Sequence, residues 1–251
     1  MRQKIRRTVI LLFLLLLPIT LNYFSPYVSL SGAIIGIVSG SLLLFMFLFI
    51  GAIFFGRAWC AWVCPMAGLS EAAKYINHRN VNVKRLRIVR YSIFAIWFVF
   101  IIIAFILAGG ITAIDPLYLT DNIISVDSPD RYILYYGVLI LFSVLTLLLG
   151  KRGACHSICW MAPFLTAGYH VGRLFKVPQL RIETNASKCI DCKICDRKCP
   201  MSIYVSRNVK NGYILTSECI LCGECVDGCS KGALRYTIKK NDSKQVCGND
   251  A

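Results

Sequence analysis

The sequence predicts an α-helical membrane part followed by a small α+β domain rich in cysteine. Three observations predict it. Four uncharged apolar runs of membrane-spanning length occupy the first 150 residues, the basic residues fall on one side of those runs, and eight cysteines form a thirty-residue repeat near the C-terminus. The 251 residues are 57% hydrophobic, yet Lys+Arg 28 stand against Asp+Glu 13, a formal charge of +15. So apolar a chain is not disordered. Thirteen cysteines gathered in a few motifs do not read as a secreted disulfide scaffold either.

The apolar runs are 8–27, 32–55, 91–110 and 132–149. A helix needs roughly 20 apolar residues to cross the hydrocarbon core, and none of the four runs contains Asp, Glu, Lys, Arg or His. Pro18 interrupts the first and predicts a kink there. Of the 28 basic residues, 27 lie in the N-terminal tail, in the loop 57–90 or after residue 150. The other two connections hold only Arg131, beside Asp115, Asp121, Asp127 and Asp130. By the positive-inside rule both termini face the cytoplasm, in what is expected to be a bacterial inner membrane. A cleaved leader is the alternative reading of the first run, for which Ser29-Leu30-Ser31 is a poor cleavage site. The charge thus reports topology, and no nucleic-acid partner is expected.

Eight cysteines fall in Cys189-x2-Cys192-x2-Cys195-x3-Cys199-Pro200 and Cys219-x2-Cys222-x2-Cys225-x3-Cys229. This is the spacing of a bacterial two-cluster ferredoxin, in which the fourth cysteine of each run ligates the other cluster. Cys189, Cys192, Cys195 and Cys229 are therefore assigned to one [4Fe–4S] cluster, and Cys219, Cys222, Cys225 and Cys199 to the second. Ser230 stands where the motif usually has proline. Zinc sites do not need the third cysteine at this spacing, and disulfides are disfavoured in a cytoplasmic domain. Short strands are expected at 203–206 with 213–216, and at 234–238.

A second repeat sits at the ends of the runs. Cys60-x3-Cys64-Pro65-Met66-Ala67 follows the second, and Cys155-x3-Cys159-Trp160-Met161-Ala162 follows the fourth, with Arg57 and Arg152 aligned. If helical, each pair presents both thiols on one face. Two repeats related by a pseudo-two-fold would bring Cys60, Cys64, Cys155 and Cys159 together. Such thiols hold a metal or an additional cluster, act as redox dithiols, or merely pack as buried cysteines. Trp59, Trp62 and Trp160 read as a headgroup belt or an electron relay. His78, His156 and His170 read as solvated residues or as proton acceptors for a quinol. The stretches 68–76 and 164–175 are expected along the membrane surface, and Lys84, Arg85, Arg87 and Arg90 as a lipid-headgroup anchor. Residues 177–179 read as a linker.

The fold expected is four transmembrane helices in a two-fold helix–helix–CxxxC repeat (1–176), a C-terminal α+β 2[4Fe–4S] ferredoxin domain (177–238) and a polar tail (239–251) with a spare thiol at Cys247. Together these motifs resemble the NapH/NosR-type membrane iron–sulfur proteins. The NapH kind, a quinol dehydrogenase membrane subunit, is the nearest in architecture. A NosR-type flavin domain is not seen, nor the immunoglobulin-like extension of the related copper-reducing assembly proteins. Trp160 replaces the proline of the second motif.

The resemblance implies an electron-transfer component rather than a stand-alone enzyme. It would pass electrons between the quinone pool, or a membrane redox partner, and the cytoplasmic clusters. A basic surface (Lys193, Arg197, Lys198, Lys210) would meet an acidic soluble or membrane partner, or is simply solvated. The alternative is a metal-handling accessory that reduces copper at the CxxxC thiols.

Overall fold

The computed structural model describes residues 1–239 except 75, 121–123, 127–128 and 215. The expected tail from 240 onward, with Cys247, lies outside the described residues, as do Asp121, Asp127 and the side chains of Asp130 and Lys210.

The first apolar run bends. Helix α1 (Arg2–Leu15) gives way to α2 (Leu17–Thr20) and a 3-10 turn to Phe24, with a 59° change of direction. Pro18 has no N–H to donate into α1, so the helix cannot continue through it.

The second run is not one helix. Helix α3 (Pro26–Ile34) stops before Gly36, whose φ of +76° suits glycine, and a short strand β1 (Ile37–Ser39) leads into α4 (Gly40–Phe55). At 16 residues α4 spans about 24 Å. Helix α5 (Trp59–Trp62) carries the first CxxxC motif and leads into α6 (Met66–Ala73).

The third and fourth runs are continuous. Helix α7 (Val83–Leu107) is capped by the Asn82 side chain, which accepts from the Arg85 N–H at 3.3 Å. Strand β2 (Ala113–Asp115) then pairs in parallel with β1. Helix α8 (Pro129–Leu149) follows. In place of the expected four continuous spans, the described residues hold two helices long and apolar enough to cross a membrane, one bent pair that passes as a broken span, and the shorter α4.

Helix α9 (Gly153–Ser157) carries the second CxxxC motif, and α10 (Met161–Leu174) follows. The stretches expected along a membrane surface pack inward instead. Helix α10 lies parallel to α4, with Phe164 stacked on Phe45 at 5.2 Å and Gly168 and Gly172 against the Phe49 and Ile53 carbonyls. Small residues let the two backbones approach, as between helices in lipid. Helix α6 packs in the same way against α8 and α1, with Gly68 on Ile10 and Leu14. Each repeat thus sends its post-CxxxC helix onto the other repeat. Gly168→Leu is expected to destabilise the bundle by about 3 kcal/mol, because any Cβ meets the Phe49 carbonyl. Thermal unfolding in detergent measures it.

The C-terminal part is bounded by β3 (Gln179–Thr184) and β4 (Leu234–Lys239), paired antiparallel. Between them lie α11 (Ile194–Lys198) and α12 (Glu224–Asp227). The 203–206 segment is not a strand, and Tyr213 makes a single bridge to Glu183. The expected linker at 177–179 is anchored, since the buried Gln179 donates from Nε2 to the Ile53 carbonyl at 2.9 Å.

Candidate iron–sulfur and four-thiol site

The two ferredoxin motifs fold alike at the backbone. Asp191 and Lys193 of the first have φ of 51° and 57°, and their counterparts Leu221 and Gly223 of the second have 54° and 76°. These left-handed residues curl each loop around its cysteines. Cys189, Cys192 and Cys195 face one space together with Cys229, and Cys219, Cys222 and Cys225 face another together with Cys199. The two cages therefore exchange their fourth cysteines. Cys192 is exposed, whereas Cys199, Cys222 and Cys225 are buried. Among the described residues no three His, Cys, Asp or Glu side chains close on a point as a single ion requires. The cysteines stand around wider spaces, which fits a polynuclear cluster.

The CxxxC motifs converge. Cys60, Cys64, Cys155 and Cys159 all line one cavity of about 170 Å³ inside the helical part. An engineered cavity of about 150 Å³ admits benzene. Its walls are mostly apolar, with Leu17, Phe24, Leu134 and Phe142 on one side and Arg57 and Arg152 beside the thiols. A residue of positive φ precedes each motif, Gly56 at 54° in the first and Arg152 at 51° in the second. Arg152 holds this strained conformation while its Nη1 donates to the Cys60 carbonyl at 2.9 Å. Met201 and Ile220 of the C-terminal part line both this cavity and the second cage.

Charged residues bind the two parts together. Glu218, next to Cys219, accepts from Arg57 Nη1 at 2.6 Å and from Arg90 Nη2 at 2.5 Å. Glu224, next to Cys225, pairs with Arg6 at 2.9 Å and Lys74 at 2.5 Å, and Arg6 also reaches Glu71 at 2.8 Å. Arg6, Arg57 and Arg90 are almost wholly buried. Arg90 is thus an internal ion-pair partner and not a lipid anchor, while Lys84 and Arg85 are exposed.

Burial pushes the Glu218 and Glu71 carboxyls up, but the arginines outweigh it and hold both down, Glu71 at about 2. Burial also pulls His156 down to about 3, so its imidazole is neutral, with Nδ1 3.8 Å from Glu218. His78 and His170 are exposed. The free thiols of Cys199 and Cys219 are each pushed by burial up to about 12.

Trp62 Nε1 donates to the Leu221 carbonyl in the second cage loop, and Trp160 Nε1 to the Phe24 carbonyl. These indoles pack inside rather than forming a headgroup belt.

Glu71 gives a pH signature. Its folded pKa lies below the unfolded value, so its contribution is present above about pH 4.5 and is lost as pH falls toward 2. The gap in unfolding midpoint between wild type and Glu71→Gln should correspond to about 3 kcal/mol at pH 6. It should shrink steadily below pH 4.5.

Spacing alone singled out the twelve cysteines that line these three spaces as candidates. It missed Glu218, Glu224, Arg6 and Arg90 as site residues. The acidic neighbours of Cys219 and Cys225 were the available signal.

Family models match at two places: a 4Fe-4S binding domain over residues 40–84 and a 4Fe-4S dicluster domain over 188–234. An uncharacterised protein of Methanocaldococcus jannaschii is 28% identical over 76% of the chain and 68% of its own length. The putative electron transport protein YccM of Escherichia coli is 26% identical over 85% of the chain and 60% of its own length. The ferredoxin-type protein NapH of Haemophilus influenzae is 23% identical over 76% of the chain and 66% of its own length. No solved structure matches the chain. These similarities bear out the resemblance to NapH-type 4Fe–4S ferredoxin-like proteins and support iron–sulfur electron transfer.

Proposed function

We propose that this chain, which resembles the NapH-type 4Fe–4S ferredoxin-like proteins along most of its length, is anchored in the cytoplasmic membrane. There it passes electrons between the membrane phase and a partner on the cytoplasmic side. The membrane-side partner is the quinone pool or a membrane redox subunit. The cytoplasmic-side partner, soluble or membrane-bound, meets the first cage, where Cys192 is exposed beside Lys193 and Arg197.

The observation that carries this reading is the shared wall. Among the described residues Met201 and Ile220 alone lie on both the apolar four-thiol cavity and the second cage. Cys189, Cys192, Cys195 and Cys229 would hold one [4Fe–4S] cluster, and Cys199, Cys219, Cys222 and Cys225 the other. When bound, each supplies one-electron chemistry at a potential set by burial and hydrogen bonds. The buried arginines hold the C-terminal part on the helical part, so the cavity and the cages keep a fixed separation.

Anchoring is supported by the outward apolar faces of α7 and α8, where Ile96, Phe100, Ile133 and Ile140 are exposed. With both termini inside, all cysteines face the cytoplasm. Intact cells should therefore leave the wild-type chain unlabelled by a membrane-impermeant thiol reagent, and Arg131→Cys should label. Labelling of the wild type from outside would reverse the topology.

A second reading has one observation in its favour. Met66, Met161 and Met201 line the same cavity as the four thiols, and soft sulfur donors suit Cu(I). A metal-handling accessory that reduces copper there would purify with one copper per chain, lost in Cys60→Ser.

A further inference from the structure

We propose that Cys60, Cys64, Cys155 and Cys159 together hold a third iron–sulfur cluster, built jointly by the two halves of the helical part. The proposal rests on the iron–sulfur reading above but not on the identity of the membrane partner.

The four thiols come from two motifs ninety-five residues apart, yet they line one cavity, and a residue of positive φ, Gly56 or Arg152, precedes each motif. The cavity also holds donors with nothing to donate to. Arg57 Nε, Arg152 Nε and Trp59 Nε1 are buried and have no hydrogen-bond partner among the described residues, and all three residues line it. A buried N–H left without an acceptor is destabilising, so three in one wall call for an acceptor. A cluster ligated by four thiolates supplies anionic sulfur acceptors on every side.

The charge agrees. Arg6, Arg57, Arg90 and Arg152 with Lys74 face the three carboxylates Glu71, Glu218 and Glu224, which leaves net positive charge in a network whose Arg57 and Arg152 line this cavity. A single ion fits less well, since no three of these ligand types close on a point among the described residues. Met201 and Ile220 separate this centre from the second cage, so it would stand first in line from the membrane side.

The test is the iron and acid-labile sulfide content of the full chain, purified and reconstituted anaerobically. A third cluster predicts about twelve irons per chain if it is a cube and about ten if it has two irons, against about eight for the ferredoxin motifs alone. The double variant Cys64→Ser/Cys159→Ser should return the content to about eight with the ferredoxin EPR signals intact. Native alkylation followed by mass spectrometry makes the test independent of the variant's folding. The four thiols should resist iodoacetamide until a chelator strips the iron, and then react. Eight irons in the wild type, copper at these thiols in place of iron, or alkylation before stripping would each overturn the proposal. Failure of the protein to respond to a quinol would leave this count untouched and bear only on the membrane partner.

Discussion

Glu218→Ala is expected to lower stability by about 3–5 kcal/mol and to release the C-terminal part from the helical part. Glu218 is buried and receives both Arg57 and Arg90, which are themselves buried. Removing the carboxylate leaves two guanidinium groups in the interior without their counter-charge, and breaking a buried pair typically costs that much. Arg57 follows α4 and Arg90 lies in α7, so the loss falls on the contact between the two parts. Protease sensitivity of residues 177–238 should rise together with the fall in thermal midpoint. Glu218→Gln, which keeps two oxygen- or nitrogen-bearing positions without the charge, should fall between. A change in midpoint equivalent to less than about 1 kcal/mol for the alanine variant would show that the pairs do not hold the parts together.

Cys199→Ser should resemble Cys222→Ser and differ from Cys192→Ser. Cys199 is near the first motif in sequence but shares its space with Cys219, Cys222 and Cys225. Its loss should therefore disturb the cluster of the second motif, with up to about four irons lost and the first motif's EPR signal retained. Cys229→Ser should do the converse, since Cys229 stands with Cys189, Cys192 and Cys195. If Cys199→Ser instead matched Cys192→Ser, each motif would bind its own cluster and the exchanged assignment would fail.

The cysteine motifs were fully legible in the sequence because ligand spacing is a local property. A three-residue step between cysteines fixes the loop, and the exchange of the fourth ligand comes with the motif. The third and fourth apolar runs were legible for a similar reason, since length and composition suffice for a helix without breakers. The first two runs were less so. Pro18 marked the bend, but Gly36 gave no sign that the chain would leave the helix for a strand paired with residues 113–115.

Strand β3 was missed because its partner, β4, lies beyond both motifs. The buried ion pairs were missed for the same reason. Arg6 and Glu224 are 218 residues apart, and Arg90 and Glu218 are 128 apart. In sequence Arg6 and Arg90 look like the other topology-setting basic residues. What distinguishes them is burial, which depends on how the two halves close. The inward packing of α6 and α10 was also hidden, since Gly168 and Gly172 signal close helix approach only once α4 is known to lie beside them.

The most direct test of the account is EPR of the anaerobic protein in liposomes, poised with a menaquinol and then with the matching quinone. The account predicts that at least one [4Fe–4S] signal changes on addition of one and reverses with the other. It also predicts that mutation of the cavity wall away from the cages, as in Leu134→Trp, slows the change without removing iron. Clusters that dithionite reduces but that ignore both quinol and quinone would contradict a quinone-pool route through the four-thiol cavity.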